Sequence, residues 1–178
     1  MEVELGCADA LFLFERAAAH PAVTCIGVEI RRDLVEDVNL RAAEAGLKNL
    51  RAVFANINTD LDALFPEGRL DRVFINFPDP WFKRRHHNRR VMTPEIAELL
   101  HCKIAPGGTL VFQTDGFELG IDAMAAIEQT GRFENAHGPW SFAPDNPWGA
   151  RSLRELRCED KGLRIWRMRY LKCDPVTR

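Results

Sequence analysis

The sequence has no apolar stretch long enough to cross a bilayer. Its opening segment, MEVELGCADA, carries two acids and lacks the basic residues that begin a secretory signal. The five cysteines are scattered, and no two of them have the spacing of a metal-binding knuckle. We therefore expect a cytoplasmic protein with reduced thiols, no membrane anchor and no bound metal.

A strong net charge is also absent. The formal net charge is −2 and the isoelectric point is about 6.2, which argues against nonspecific polyanion binding by the whole surface. Hydrophobic residues make up 46% of the chain and charged residues 28%, as in globular proteins. The 178 residues show no internal repeat and no low-complexity linker, so we expect a single domain over residues 1–178.

Segments with strand and helix patterns alternate along the chain. Runs rich in apolar and β-branched residues predict strands at 3–5, 23–30, 50–55, 70–77 and 109–115. Helices are predicted at 11–20, 31–46, 60–65, 94–103 and 118–129, with a turn at the APGG stretch, 105–108. The tail at 163–172 predicts another strand, paired antiparallel with a segment just before it.

This alternation is typical of an α/β fold built from right-handed strand–helix–strand units. It predicts a doubly wound, mostly parallel sheet with helices on both faces and an antiparallel C-terminal strand. Ligands of such folds bind beyond the carboxyl ends of the strands. The functional residues are therefore expected where the predicted strands end.

Two of these strand ends favour a nucleoside-containing cofactor. Glu29 ends the second strand 23 residues after Gly6, a spacing that suits an acid binding ribose hydroxyls. The loop GCADA at 6–10 has too few glycines for close approach to a pyrophosphate, which favours S-adenosylmethionine over a dinucleotide. An equally good alternative is that Gly6 only makes a turn and Glu29 only caps a helix. Asn56, after the third strand, could meet an adenine edge or cap a turn.

The stretch FINFPDPWFKRRHHNRR at 74–90 concentrates several kinds of chemistry. Its apolar run stops at Asn76, two prolines then bracket Asp79, and two aromatic residues precede the basic run 83–90. The prolines each fix a backbone angle and would hold Asp79 rigidly. Lysine and arginine neutralise phosphates, so the run favours nucleic-acid binding, with a solvated face as the alternative.

With its flanking segments, this stretch resembles the signature of the bacterial tRNA (guanine-N7)-methyltransferases. The similarity extends from Val3 to Lys172 and includes VELGC, CIGVEIR, GLKNLR, MTPEIAELL, APGG and the pair Thr114-Asp115. The resemblance implies a Rossmann-like class I methyltransferase fold. It also implies transfer of a methyl group from S-adenosylmethionine to N7 of a guanosine in the variable loop of tRNA.

The resemblance further assigns roles to matching positions. The implied cofactor contacts are Glu4, Gly6, Glu29, Asn56 and Asp79, of which Asp79 is also the catalytic acid. The implied substrate contacts are Lys83, Asp115, Ser152 and Glu155, the last two within a Ser-Leu-Arg-Glu element like the family's Thr-x-x-Glu. RNA phosphates are expected at Arg84, Arg85, Arg89 and Arg90.

The chain departs from the family pattern in several places. Ala8 and Ala10 stand where the family has glycines, so we expect weak cofactor binding. Phe117 and Arg154 stand where tryptophan and a tyrosine or phenylalanine are usual. The residues that usually precede the first strand are also expected to be missing. Two alternatives therefore remain: a non-catalytic relative that binds RNA, and a small-molecule methyltransferase of the same fold.

Overall fold

The computed structural model describes residues 1–80 and 90–173. Within these ranges strands and helices alternate as the sequence predicts. The elements are β1 (Glu2–Leu5), α1 (Leu11–Ala19), β2 (Cys25–Glu29), α2 (Arg32–Glu44), β3 (Leu50–Phe54), α3 (Ile57–Leu64), β4 (Leu70–Asn76), α4 (Pro94–Lys103), β5 (Ile104–Thr114), α5 (Phe117–Glu128), β6 (Phe133–Asn135), α6 (Leu153–Asp160) and β7 (Trp166–Lys172).

The strands form one sheet in the order β3-β2-β1-β4-β5-β7-β6. The first five strands in this order are parallel, and β7 runs antiparallel to both β5 and β6. The predicted α/β class with an antiparallel C-terminal strand is therefore confirmed. The strand order reverses direction at β1, and ligands of doubly wound sheets bind beside such a switch point.

Side chains cap three helices in ways that the sequence makes possible. Thr93 accepts a hydrogen bond from the Ile96 amide at the start of α4, and Pro94 follows at the first helical position, which confirms the predicted start. Asn56 caps α3 and Ser152 caps α6 in the same manner. Both caps lie at the edge of the sheet that carries the carboxyl ends of β1 to β4.

The sheet separates two hydrophobic clusters, as alternating side chains on a strand require. Val73 and Ile75 face a cluster that includes residues of α4 and α5, whereas Phe74 faces the side covered by α1 and α2. The rings of Phe74 and Phe12 are 4.7 Å apart between centroids. Among the described residues, no helix is both long and apolar enough to span a membrane.

Two local predictions were wrong, and two elements were not predicted. The APGG stretch is not a turn but lies inside β5, where a register shift against β4 and the positive φ of Gly107 accommodate an irregular strand. Helix α3 begins at Ile57, three residues before the predicted start, because Asn56 caps it. β6 and α6 were not predicted, since β6 has three residues and α6 buries only Glu155 and Cys158.

Candidate functional site

A cavity of about 700 Å³ lies at the carboxyl ends of β1 to β4. Its walls are the segments that follow these strands, together with Val91 and the start of α6. The structure therefore brings together residues that are far apart in sequence. The predicted site residues that line the cavity are Glu4, Gly6, Glu29, Asn56, Asp79 and Ser152.

Glu4 supplies a buried carboxyl group at the end of β1. Its Oε1 atom accepts a 2.7 Å hydrogen bond from the amide of Asn76, and its Oε2 atom has no partner among the described residues. Burial raises the pKa of Glu4 to about 8; the Asn76 bond opposes this rise, and the nearby Asp9 and Glu29 carboxylates add to it. Glu4 is thus a neutral acid that a bound cation or donor would ionise.

Glu29 supplies a different kind of carboxyl group at the end of β2. It accepts backbone hydrogen bonds from Ala8 at 3.0 Å, Ile30 at 2.9 Å and Arg31 at 3.0 Å, and the Arg31 guanidinium lies 3.2 Å away. Burial raises the pKa of Glu29, but the hydrogen bonds and charge of Arg31 and the Ala8 amide outweigh it, so the pKa is lowered. Glu29 is an ionised group that fixes the loop after β1.

The loop after β1 keeps a glycine-like backbone. Gly6 has φ of +78°, and Ala8 and Ala10 have φ of +48° and +56°, in the left-handed region that glycine adopts most easily. Across the loop, Gly27 of β2 leaves room for Cys7, since a Cβ atom at Gly27 would lie 2.5 Å from the Cys7 sulfur. The two alanines therefore strain the loop.

Asp79 lies at the exposed rim of the cavity, after β4. The chain reaches it through Phe77, which has φ of +50° and whose amide donates a 2.8 Å hydrogen bond to the carbonyl of Gln113. The neighbouring predicted residues Lys83, Arg84, Arg85 and Arg89 lie outside the described residues, as do Trp81 and Phe82. Arg90 is described, and its guanidinium donates a 2.6 Å hydrogen bond to Asp122 of α5.

Asp115 follows β5 and meets the start of α6. Its carboxylate accepts a 2.5 Å hydrogen bond from the guanidinium of Arg154, which lines the cavity. Ser152 also lines the cavity, and its hydroxyl accepts a hydrogen bond from the Glu155 amide. Asp115 and the beginning of α6 are thus held against each other beside the cavity.

Glu155 is placed differently from the other predicted substrate contacts. It is completely buried and is not part of the cavity wall. One carboxylate oxygen accepts from Gln113 at 2.9 Å, and the other accepts from Asn146 at 2.9 Å and Arg167 at 2.8 Å. These donors occupy both oxygens, so Glu155 holds α6 in position and does not face the cavity.

A chain of buried hydrogen bonds connects Glu155 to Glu4. Gln113 donates both to Glu155 and, at 3.0 Å, to Asn76, which in turn donates to Glu4. Neither Asn76 nor Gln113 was predicted from the sequence to be functional. The available signal was their polarity, because each directly follows an apolar run near the end of its strand, where a buried polar side chain needs a partner.

Metal-binding and disulfide chemistry have no visible basis in the described part of the chain. Residues 1–80 and 90–173 contain no cluster of histidine, cysteine and acidic side chains that could hold a metal ion. The five cysteines form no disulfide there. Burial raises the pKa of the Cys7 thiol far above its usual range, so this cavity residue is not a nucleophile at neutral pH.

Comparison with known proteins gives consistent matches over most of the chain. The family model described as "Putative methyltransferase" matches residues 1–168. A tRNA (guanine-N(7)-)-methyltransferase from Thermosynechococcus vestitus is 37% identical over 97% of this chain and 80% of its own length. A protein of the same name from Myxococcus xanthus is 36% identical, over 97% of this chain and 83% of its own length.

Solved structures show the same fold at low sequence identity. The 16S rRNA methyltransferase KamB superposes with a TM-score of 0.70 at 12% identity, covering 97% of this chain and 87% of its own. The aminoglycoside resistance methyltransferase NpmB1 superposes with a TM-score of 0.64 at 19% identity, covering 97% and 86%. The similarity therefore extends to the whole described sheet.

Proposed function

The chain belongs to the tRNA (guanine-N(7)-)-methyltransferase family, and we propose that it transfers the methyl group of S-adenosylmethionine to N7 of a guanosine in tRNA. The observation that carries this proposal is the convergence of Glu4, Glu29, Asn56 and Asp79 on one cavity at the switch point of the sheet. By family resemblance, the guanosine lies in the variable loop.

The cavity fits S-adenosylmethionine in size and in the chemistry of its walls. Its volume of about 700 Å³ lies within the range of small-molecule sites. S-adenosylmethionine carries an ammonium group, which suits the unpartnered oxygen of Glu4, and ribose hydroxyls, which suit the ionised Glu29. Asn56 offers an amide for the adenine edge, although the same side chain also caps α3. When bound, the cofactor supplies an electrophilic methyl group on a cationic sulfur.

The acceptor atom needs little chemical help from the protein. Guanine N7 carries an in-plane lone pair and no proton, so no general base is required. Alignment of the acceptor with the methyl group and sulfur can supply up to about 7–11 kcal/mol of the barrier. The methylated purine is positively charged, and the Asp79 carboxylate at the cavity rim would stabilise that charge as it develops.

Carboxylates beside the cavity also suit guanine rather than adenine. The N1–H and N2–H₂ edge of guanine is a pair of donors that adenine lacks, and we assign Asp115, beside the cavity, to accept from it. Lys83 and Ser152 are assigned to the substrate as well, and Arg84, Arg85, Arg89 and Arg90 to its phosphates. We assign Glu155 a positioning role instead, because its oxygens already accept hydrogen bonds from three side chains.

The two alternatives have less support. The non-catalytic relative is suggested by Ala8 and Ala10 in place of glycines, but the loop still holds left-handed φ angles at both positions. A small-molecule methyltransferase would have no use for the basic run at 83–90. We further propose that residues 1–178 act as one domain in the cytoplasm, where tRNA is present and cysteines stay reduced.

The deciding experiment is methyl transfer to bulk tRNA that lacks 7-methylguanosine, followed by nucleoside analysis by mass spectrometry. We expect 7-methylguanosine to appear only when protein and S-adenosylmethionine are both present. Cofactor and tRNA binding without any methylated product would favour the non-catalytic relative. Cofactor binding without tRNA binding would favour the small-molecule enzyme.

A further inference from the structure

Three aromatic side chains form a cluster beside Asp115. The ring centroids of Phe117 and Phe142 lie 4.7 Å and 4.8 Å from that of Trp166, and they lie 6.3 Å from each other. Phe117 is 50% exposed, whereas Phe142 and Trp166 are partly covered. The described residues thus leave an aromatic surface open to solvent.

The cluster lies next to the proposed substrate site. Trp166 begins β7 and pairs directly with Thr114, which ends β5 at the same edge of the sheet as the cavity. Asp115 follows Thr114 and is bonded to the cavity residue Arg154, and Phe117 is two residues further on. The open aromatic surface therefore adjoins the carboxylate that is proposed to bind guanine.

One arginine lies directly against this surface. The Arg164 guanidinium lies 4.1 Å from the centroid of the Trp166 ring. Arg90, the last residue of the basic run, is bonded to Asp122 on α5, the helix that Phe117 begins. The Asp115 and Asp122 carboxylates are each paired with an arginine, which leaves Glu118 as the exposed acid in the first turn of α5. Arg164 therefore supplies the cation for an anionic partner at this surface.

We propose that Phe117 and Trp166, with Arg164, form a stacking platform for an unpaired nucleobase of the tRNA next to the target guanosine. Proteins recognise single-stranded RNA by stacking splayed bases on aromatic rings and arginine planes. A base lying outside a duplex exposes both faces, and the platform offers rings and a cation at one place. The inference rests on the proposed function, because it takes tRNA as the substrate.

The test uses four variants and two measurements on each. Phe117→Ala removes the exposed ring, Phe117→Leu keeps apolar volume without a ring, and Phe117→Trp keeps an aromatic ring. Phe54→Ala is the matched control, because Phe54 is 47% exposed with the Arg32 guanidinium 4.3 Å from its centroid, yet lies on β3 at the other edge of the sheet. The tRNA affinity at several salt concentrations and the S-adenosylmethionine affinity are measured.

We expect Phe117→Ala and Phe117→Leu to weaken tRNA binding at least about fivefold, the low end for loss of one stacked base. The dependence on salt and the cofactor affinity should not change, because no phosphate contact is removed. Phe117→Trp should bind tRNA as well as the wild type does, and Phe54→Ala should leave tRNA affinity unchanged. Full binding by Phe117→Leu, or an equal loss in Phe54→Ala, would overturn the platform.

Failure of the platform can be distinguished from failure of the proposed function. If the wild-type protein forms 7-methylguanosine in tRNA but all Phe117 variants bind tRNA normally, only the platform is wrong. If the wild-type protein neither binds nor methylates tRNA, the proposed function is wrong, and the proposed platform is then wrong as well.

Discussion

Asn76 donates a 2.7 Å hydrogen bond to one oxygen of Glu4, while the other oxygen of this buried carboxyl has no partner among the described residues. A single neutral donor does not compensate a buried negative charge. The pKa of Glu4 is therefore raised to about 8, and the group stays protonated near neutral pH. This relationship makes the stability of the protein depend on pH in a defined direction.

Glu4→Gln should remove that dependence. Between the ordinary pKa of 4.5 and the folded value of about 8, the unfolded chain loses the Glu4 proton and the folded protein keeps it. The free energy of unfolding of the wild type should therefore fall, relative to Glu4→Gln, by up to about 1.4 kcal/mol per pH unit as the pH rises from 5 to 8. Urea unfolding of both proteins at four pH values measures the difference.

Glu2 on the same strand provides the control. It is also fully buried, but although burial raises its pKa, Arg16 and Arg72 outweigh burial and the pKa is lowered. The stability that Glu2 contributes is present above the ordinary pKa and is lost as the pH falls through the folded value. The gap between the wild type and Glu2→Gln should thus stay constant from pH 5 to 8. If the free energies of unfolding of the wild type and Glu4→Gln also stayed a constant distance apart over this pH range, Glu4 would not be neutral in the folded protein.

Ala8→Gly should stabilise the loop after β1. A left-handed conformation costs a residue with a Cβ atom about 1–2 kcal/mol, which glycine avoids. The extra freedom of glycine in the unfolded chain offsets about 0.4–1 kcal/mol of this gain in stability. We expect the free energy of unfolding to rise by about 0.5–1 kcal/mol. Ala10→Gly should change it little, because it also removes a buried methyl group.

An alanine with ordinary backbone angles separates strain from a general effect of glycine. Ala43 is exposed in α2, and Ala43→Gly should lower the free energy of unfolding by about 1 kcal/mol. Chemical denaturation of the three variants gives the comparison. A loss of stability in Ala8→Gly equal to that in Ala43→Gly would show that the loop is not strained at this position.

The sequence was sufficient to predict the parallel sheet and the convergence of Glu4, Glu29, Asn56 and Asp79. Each lies at or just after the end of a strand, and parallel strands end at one edge of the sheet. It was not sufficient for Glu155, whose partner Gln113 lies 42 residues away. Such pairs depend on tertiary packing, and a local motif cannot reveal that its acid is already occupied.

Helix α6 illustrates the same limit at the level of secondary structure. Its sequence, LRELRCED, is mostly charged and buries only Glu155 and Cys158, so it lacks the apolar stripe by which helices are recognised. The Ser152 cap and the buried acceptor position of Glu155 hold it in place instead. The β6 strand escaped prediction because only three residues pair with β7.

Glu155→Ala should destabilise the protein rather than simply weaken substrate binding. It leaves the largely buried Arg167 guanidinium without its hydrogen-bond acceptor and takes one of two acceptors from the amides of Gln113 and Asn146. Removing one partner of a buried ion pair typically costs about 3–5 kcal/mol, which urea unfolding would detect. Glu159→Ala on the exposed side of the same helix should cost less than about 1 kcal/mol. Normal stability of Glu155→Ala with loss of tRNA binding would instead make Glu155 a direct substrate contact.

Asp79→Asn should reduce turnover while leaving tRNA binding nearly intact. The carboxylate is exposed at the cavity rim, so the change should not disturb the core, and its charge matters most when guanine becomes cationic. Loss of one group that stabilises transition-state charge typically lowers kcat about 10²–10³-fold. Single-turnover rates and tRNA affinity, compared with Asp37→Asn on the exposed face of α2, test this. An equal loss in tRNA affinity would assign Asp79 to binding.

Replacing Arg84 and Arg85 together by alanine should produce the opposite pattern. If both side chains contact phosphates, each contributes about 0.7–0.9 to the slope of log affinity against log salt, so the slope should flatten by about one to two units. The rate at saturating tRNA should stay close to that of the wild type. The double change Arg51→Ala and Arg69→Ala removes two exposed arginines, one from β3 and one just before β4, and should leave the slope unaltered. If the run at 83–90 were only a solvated surface, the slope of log affinity against log salt would be the same in the wild type and in both double variants. Measuring this slope therefore decides whether the run contacts phosphates.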